Sequence, residues 1–292
     1  MEQLQSSLLE LIRRTSTEIP EDVHQAILGS LQEEKKGTIA ESALKIIERN
    51  IELARRKSQP ICQDTGAILF YVDCPVSLDA LAFQECAEKA VREGTRLGYL
   101  RQNSVDSLSG KNDGTNLGPG SPTIHFHPIK TDVISVRLIL KGGGCENVGA
   151  QYSLPDDRVG ASRDLPGCKR VILDAVVQAQ GKGCGPGILG VCIGGDRATG
   201  YEVSKQQFLR PLTDRNPISD LAKLEAEVVQ ISNTLGIGPM GFGGKTTLLG
   251  AKVGVLNRLP ASFFVTVSYM CWAFRRHGIQ LGKNQEIARW LY

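Results

Sequence analysis

The sequence predicts an α/β protein built from mixed sheets behind a helical N-terminal layer, and three observations predict it. Residues 1–60 carry apolar side chains at helical spacing. Further on, short runs rich in Val, Ile, Phe and Thr recur, of which Ala67–Val72 is the first. Between them lie segments of helical periodicity, joined by turns rich in Gly, Asn and Pro. The organisation expected is a helical layer over residues 1–60 and one α/β domain over 61–292.

The elements follow in order. Leu4, Leu8, Leu9, Leu11 and Ile12 form one apolar stripe, and Pro20 opens a second helix with Val23, Ala26, Ile27 and Leu31. Thr38 and Glu41 suit a capping box for a helix reaching about Arg56. The stretch Ile61 to Gly66, ICQDTG, then leads into the strand AILFYVDCP, closed by Pro75. A helix is expected from about Leu78 to Leu97, and a long polar loop from Tyr99 to Ser121. Arg101 is that loop's best anion-binding candidate. Thr123–Phe126 and Val133–Leu140 read as paired antiparallel strands. His125 and His127 would share a face there, without a third ligand nearby. The second strand runs into KGGGCEN, whose glycines let backbone N–H groups approach a ligand.

After a looplike stretch from Gln151 to Pro166, a helix from about Cys168 to Gln180 leads into GKGCGPGILGVCIGG. Here Cys184 lies in a glycine loop and Cys192 inside an apolar strand. Ala198–Leu209 and Asp220–Leu235 are expected helices. In LGIGPMGFGGKTTLLG, the glycine that a phosphate loop needs five residues before Gly244 is Pro239, so an ATP site is excluded. Lys245, Thr246 and Thr247 remain able to hold a carboxylate. Thr247–Leu256 and Ser262–Met270 are read as the last two strands, the second running into CWAFRR.

Composition excludes several classes. With 34 basic and 31 acidic side chains the formal charge is +3, too small for a nucleic-acid footprint. No apolar run is long enough for a membrane helix, and the N-terminus does not resemble a signal peptide. A cytoplasmic protein is expected, so its 8 cysteines are read as thiols rather than a disulfide framework.

Three of those thiols stand at presented positions: Cys62 at a strand start, Cys184 in a glycine loop, Cys271 at a strand end. Three thiolates without a nearby fourth ligand suit a 4Fe-4S cluster with one iron open to substrate. Such an iron is a Lewis acid that loosens a carbon-bound hydroxyl.

ICQDTG, KGGGC, GCGPG before VCIGG, LGIGPMGFGGKTT and CWAFRR, in this order, resemble the α-type subunit of iron-sulfur hydro-lyases, the class I fumarate hydratases and L(+)-tartrate dehydratases. The likeness spans nearly the whole chain. It implies cluster ligation by Cys62, Cys184 and Cys271, proton transfer assisted by Asp64, and substrate contacts from Gln63, Arg101, Gly143 and Gly144. Cys145 is left out of the cluster. The reaction implied is reversible dehydration of (S)-malate to fumarate, a step of the tricarboxylic acid cycle, with tartrate or mesaconate as alternative substrates. The family's usual histidine about twelve residues before the last cysteine is Leu259 here, with Arg258 beside it. A separate β subunit is expected to supply further catalytic groups, giving a heterodimer or heterotetramer. Two readings of another class stand beside it, a cluster-based redox sensor and a zinc-binding scaffold.

Overall fold

The computed structural model describes residues 2–292 and divides into two compact units, each assembled from separate stretches of chain. Of the described residues, unit 1 comprises 2–21, 49–143 and 273–292, and unit 2 comprises 22–48 and 144–272.

Unit 1 holds α1 (Glu2–Thr17), β1 (Ala67–Pro75), α4 (Ala80–Arg96), β2 (Thr123–Ile129), β3 (Ile134–Lys141), β8 (Arg275–Leu281) and β9 (Ile287–Trp290). Its sheet runs β2-β1-β3-β8-β9. One face is apolar because Ile68, Phe70 and Val72 of β1 alternate inward with Val136, Leu138 and Leu140 of β3. Leu4, Leu8, Leu11 and Ile12 of α1, with Phe83, Ala87 and Val91 of α4, cover that face. Each such Leu, Ile, Val or Phe side chain contributes about 1.5–3 kcal/mol on full burial. The Asp79 side chain caps α4 by accepting the Ala82 N–H at 3.0 Å.

The strands flanking β1 depart from the sequence reading. β2 runs parallel to β1, which separates it from β3, so the two are not a hairpin. His125 and His127 do share a face, stacked on Tyr71 at ring-centroid separations of 4.8 and 6.4 Å. The chain also continues past the expected last strand. β8 opens on Arg275, Arg276 and His277, all buried, and their charge hid the strand from a hydrophobic pattern.

Unit 2 carries the sheet β4-β7-β5-β6, made by β4 (Ala150–Ser153), β5 (Gly187–Ile193), β6 (Leu248–Val255) and β7 (Phe264–Met270). β5 and β6 are parallel, and β7 is antiparallel to both β5 and β4. Seven consecutive buried residues in β5 mark a strand covered on both faces. On one face lie α6 (Leu165–Ala179) and α8 (Ser219–Thr234), packing Val171, Ile172, Leu224 and Val228 on Leu189, Val191 and Val267. On the other lies α7 (Arg197–Gln206), close enough that a Cβ on Gly190 would meet the Ser204 carbonyl at 2.1 Å. Asp196 caps α7 in a reciprocal capping box with Thr199. α2 (Glu21–Glu33), from Asp22 on, and α3 (Ile39–Lys57), as far as Glu48, complete unit 2. The five-residue α5 (Gly143–Asn147) follows β3. Among the described residues, no helix is long and apolar enough to cross a membrane.

Candidate active site

In unit 1 the ICQDTG stretch is a bent loop pinned from several sides. Ile61 donates its N–H to the Ser16 carbonyl at 2.9 Å, and Asn50 Nδ2 donates to the Ile61 carbonyl at 2.9 Å. Gly66 sits at φ +77, where a Cβ would lie 2.3 Å from the Lys141 carbonyl oxygen, so the turn into β1 admits only glycine.

Asp64 is the hub of this loop. Its Oδ1 accepts the Gly66 N–H at 2.8 Å and Asn103 Nδ2 at 3.3 Å, and its Oδ2 accepts the Gly143 N–H at 2.6 Å. The Asp64 N–H lies 3.5 Å from Cys62 Sγ, donating to the sulfur. Gln63 is exposed and Cys62 half-buried, so both side chains reach outward from the same loop. Gly143 and Gly144 are exposed, and a Cβ on Gly144 would meet nothing within 4 Å.

Arg101 is held through its backbone. Thr65 Oγ1 and Asn116 Nδ2 donate to the Arg101 carbonyl at 2.7 and 2.8 Å, leaving the exposed guanidinium side chain projecting from a fixed origin. Asn116, only 2% exposed and at φ +60, also accepts the Asn103 and Ser104 N–H groups at 2.8 and 3.1 Å. The long polar loop is thus ordered around one buried amide.

Sequence reasoning missed three of these groups: Asn103, Asn116 and Arg275. Arg275 is 2% exposed and donates from Nη1 to the Asp64 and Thr65 carbonyls at 2.5 and 3.2 Å. Its signal was present in CWAFRR, read only for the cysteine.

In unit 2 Cys184 is exposed at φ +52 after the 3-10 turn Gln180–Gly183, as its glycine setting predicts. Cys271 is buried rather than presented, because β7 runs on into it and Trp272 donates its N–H to the Cys184 carbonyl at 3.3 Å. Cys145 of α5 is buried too. The Tyr269 ring lies under the Cys184 loop, where a Cβ on Gly187 would come 2.2 Å from it. Burial first, then charge on Cys271, Cys145 and Cys184, lifts the Tyr269 phenol far above its ordinary pKa. By contrast, burial pushes the packed thiols of Cys168 and Cys192 up to about 12 and about 11.

The glycine loop before β6 does hold a carboxylate, and it is the chain's own. Glu34 Oε1 accepts the Lys245 and Thr246 N–H groups at 2.6 and 3.1 Å. Met240 of the same loop donates its N–H to the Gly185 carbonyl at 3.0 Å, so Glu34 braces the turn beside Cys184. Arg258 is spent locally, donating to the Leu259 and Pro260 carbonyls at 3.0 and 3.1 Å and stacking over Phe263.

Soft donors suit an iron-sulfur cluster: a sulfur accepting a backbone N–H at Cys62, and an exposed cysteine beside a second one at Cys184 and Cys271. Unit 1 offers one such sulfur and unit 2 two, and among the described residues no group of three or more His, Cys, Asp or Glu side chains stands together as a metal site.

A mixed α/β fold with a carboxylate clamped beside a cysteine loop defines the class, and the chain belongs to the fumarate hydratase family, Fumerase, which matches residues 5–280. A Geobacillus stearothermophilus protein provisionally named fumarate hydratase class I is 51% identical over 296 residues, covering 100% of this chain. The chain spans 58% of that relative's length. A Methanocaldococcus jannaschii protein provisionally named L(+)-tartrate dehydratase subunit alpha is 31% identical, over 92% of this chain and 94% of its own. The L(+)-tartrate dehydratase subunit alpha of Escherichia coli K12 is 30% identical, over 89% of this chain and 85% of its own.

Proposed function

We propose that this chain is the α-type subunit of an iron-sulfur hydro-lyase that reversibly dehydrates (S)-malate to fumarate. Cys62, Cys184 and Cys271 would hold a 4Fe-4S cluster. When bound, that cluster supplies a Lewis-acidic iron that polarises the leaving hydroxyl.

The observation that carries the reading is the Asp64 carboxylate, fixed by the Gly66 and Gly143 N–H groups two residues after a cysteine. A carboxylate oriented in this way assists proton movement at a substrate without the entropy of finding its position. Gln63 and Arg101 carry exposed polar heads suited to the substrate carboxylates, Arg101 by paired N–H donation. At Gly144 nothing lies within 4 Å of where a Cβ would stand, while the Gly143 N–H serves Asp64. The buried Arg275 cation stiffens the Asp64 backbone from beneath. A β-type subunit, in a heterodimer or heterotetramer, would supply the remaining acid–base group. The alpha-subunit names of two relatives, matched over most of their length, support that partner.

Tartrate is the second reading, favoured because the chain covers 94% and 85% of the two tartrate dehydratase relatives. The 51% identity to the fumarate hydratase relative favours malate. The test is turnover of the anaerobically reconstituted chain with its β-type partner on malate, tartrate and mesaconate in parallel. Malate as the best substrate supports the reading; tartrate as the best replaces it with the second; an intact cluster without turnover of any diacid overturns both and favours a redox sensor.

A further inference from the structure

Among the described residues, the Asp64 carboxylate takes three N–H donors, and only one of them is a side chain. Gly66 and Asn103 donate to Oδ1 at 2.8 and 3.3 Å, and Gly143 donates to Oδ2 at 2.6 Å. A carboxylate oxygen accepts about two hydrogen bonds. Oδ1 is therefore full, and Oδ2 keeps an acceptor position open. The two glycine donors are backbone groups set by the turns they belong to, so the Asn103 side chain decides whether Oδ1 is filled.

Asn103 reaches Asp64 from a loop that is tied behind it, and all of these groups lie in unit 1. Its own N–H donates to Asn116 Oδ1 at 2.8 Å, and Asn112 Nδ2 donates to the neighbouring Gln102 carbonyl at 2.9 Å. Asn116 is anchored in turn, its Nδ2 donating to Thr95 Oγ1 of α4 at 3.0 Å. The backbone of Asn103 is thus placed by side chains across the loop. Its own side chain belongs to an exposed residue, and its one bond among the described residues goes to Asp64. A residue present for packing would show the reverse. Removing the amide of Asn103 takes away that bond and leaves the ties of the loop in place.

We propose that Asn103 is a positioning residue for the dehydration: by filling Oδ1 it holds the Asp64 carboxylate in one rotation and presents the open side of Oδ2 to the substrate. The inference rests on the hydro-lyase reading above, in which Asp64 acts on the diacid. It divides two duties within one loop. Arg101 carries a guanidinium for binding, and Asn103, two residues on, orients the group that acts. The first duty shows in KM and the second in kcat.

The test measures turnover by wild type, Asn103→Ala, Asn103→Asp, Asp64→Asn and the double variant Asn103→Ala/Asp64→Asn, on whichever diacid the wild type turns over best. Each is reconstituted anaerobically with the β-type partner and checked for cluster content and thermal melting. Asn103→Ala is expected to lower kcat about tenfold, with KM and melting temperature held. Asn103→Asp keeps the shape of the side chain but sets an acceptor where the donor stood, and loses at least as much. In the Asp64→Asn background the alanine costs nothing further, because the group it orients is already gone. Wild-type kcat in either single Asn103 variant overturns the proposal. So does a rise in KM in place of the fall in kcat, or a full tenfold loss repeated on top of Asp64→Asn; each would mark a general disturbance of the loop. Wild type with an intact cluster and no turnover of any diacid overturns the hydro-lyase reading and this proposal with it, and is seen before any variant is compared.

Discussion

The backbone N–H of Gly143 donates to Asp64 Oδ2 at 2.6 Å, joining residues 79 positions apart in sequence. The turn after β3 and the loop before β1 are therefore one piece, with the carboxylate as the joint. Replacing Asp64 with Asn turns an acceptor toward a donor and removes the proton-transfer group. Asp64→Asn is expected to lower kcat by about 100-fold or more with a far smaller effect on folding. Steady-state assays beside thermal melts check this, and wild-type kcat in the variant would contradict it.

Asn116 is the buried support of the polar loop. Removing its amide in Asn116→Ala strands the Asn103 and Ser104 N–H groups and leaves the Arg101 carbonyl to the Thr65 hydroxyl alone. A cost of about 2–3 kcal/mol in urea unfolding is expected. Because the origin of Arg101 is then held by one bond instead of two, KM should rise more than kcat falls. A variant with unchanged stability and unchanged KM would remove Asn116 from the account.

Glu34 supplies the carboxylate that the glycine loop was read as able to hold. Glu34→Ala leaves two backbone donors without their acceptor, at a cost of about 1–3 kcal/mol, while Glu34→Gln keeps an acceptor oxygen and loses less. Chemical denaturation of both variants ranks them. Glu34→Gln as damaging as Glu34→Ala would mean that charge, not hydrogen-bond acceptance, holds the loop.

Acid sensitivity follows from Asp214. Burial works to raise its pKa, but hydrogen bonds from Arg210 and Lys252 outweigh burial and hold it below the ordinary carboxylate value. A depressed folded pKa means that this contribution is present above the unfolded value and is lost as pH falls through the folded one. Asp214→Asn should therefore be less stable than wild type at neutral pH, with a gap that narrows in acid. Urea midpoints measured from neutral pH downward give the answer, and a gap constant with pH would rule the linkage out.

What was legible in the sequence shares a physical cause. β1, β5 and β7 are continuous apolar runs, and the turns at Gly66 and Cys184 advertise themselves by glycine. β8 was not legible, because a strand that buries Arg275, Arg276 and His277 looks like surface. The pairing of β2 was misread because β2 and β3 are neighbours in sequence, whereas β1 lies between them in the sheet. In the site, Asp64 was named for its motif, but Asn103 and Asn116 gain their roles from tertiary partners that a polar loop does not reveal. The burial of Cys271 depended likewise on how far β7 extends.

The most direct measurement is anaerobic malate dehydration by the reconstituted chain with its β-type partner, followed by fumarate absorbance, beside Cys62→Ser, Cys184→Ser and Cys271→Ser. The account predicts turnover by wild type and its loss, together with the cluster's visible absorbance, in each variant. An intact cluster with no turnover of any diacid, or turnover that survives all three substitutions, would contradict it.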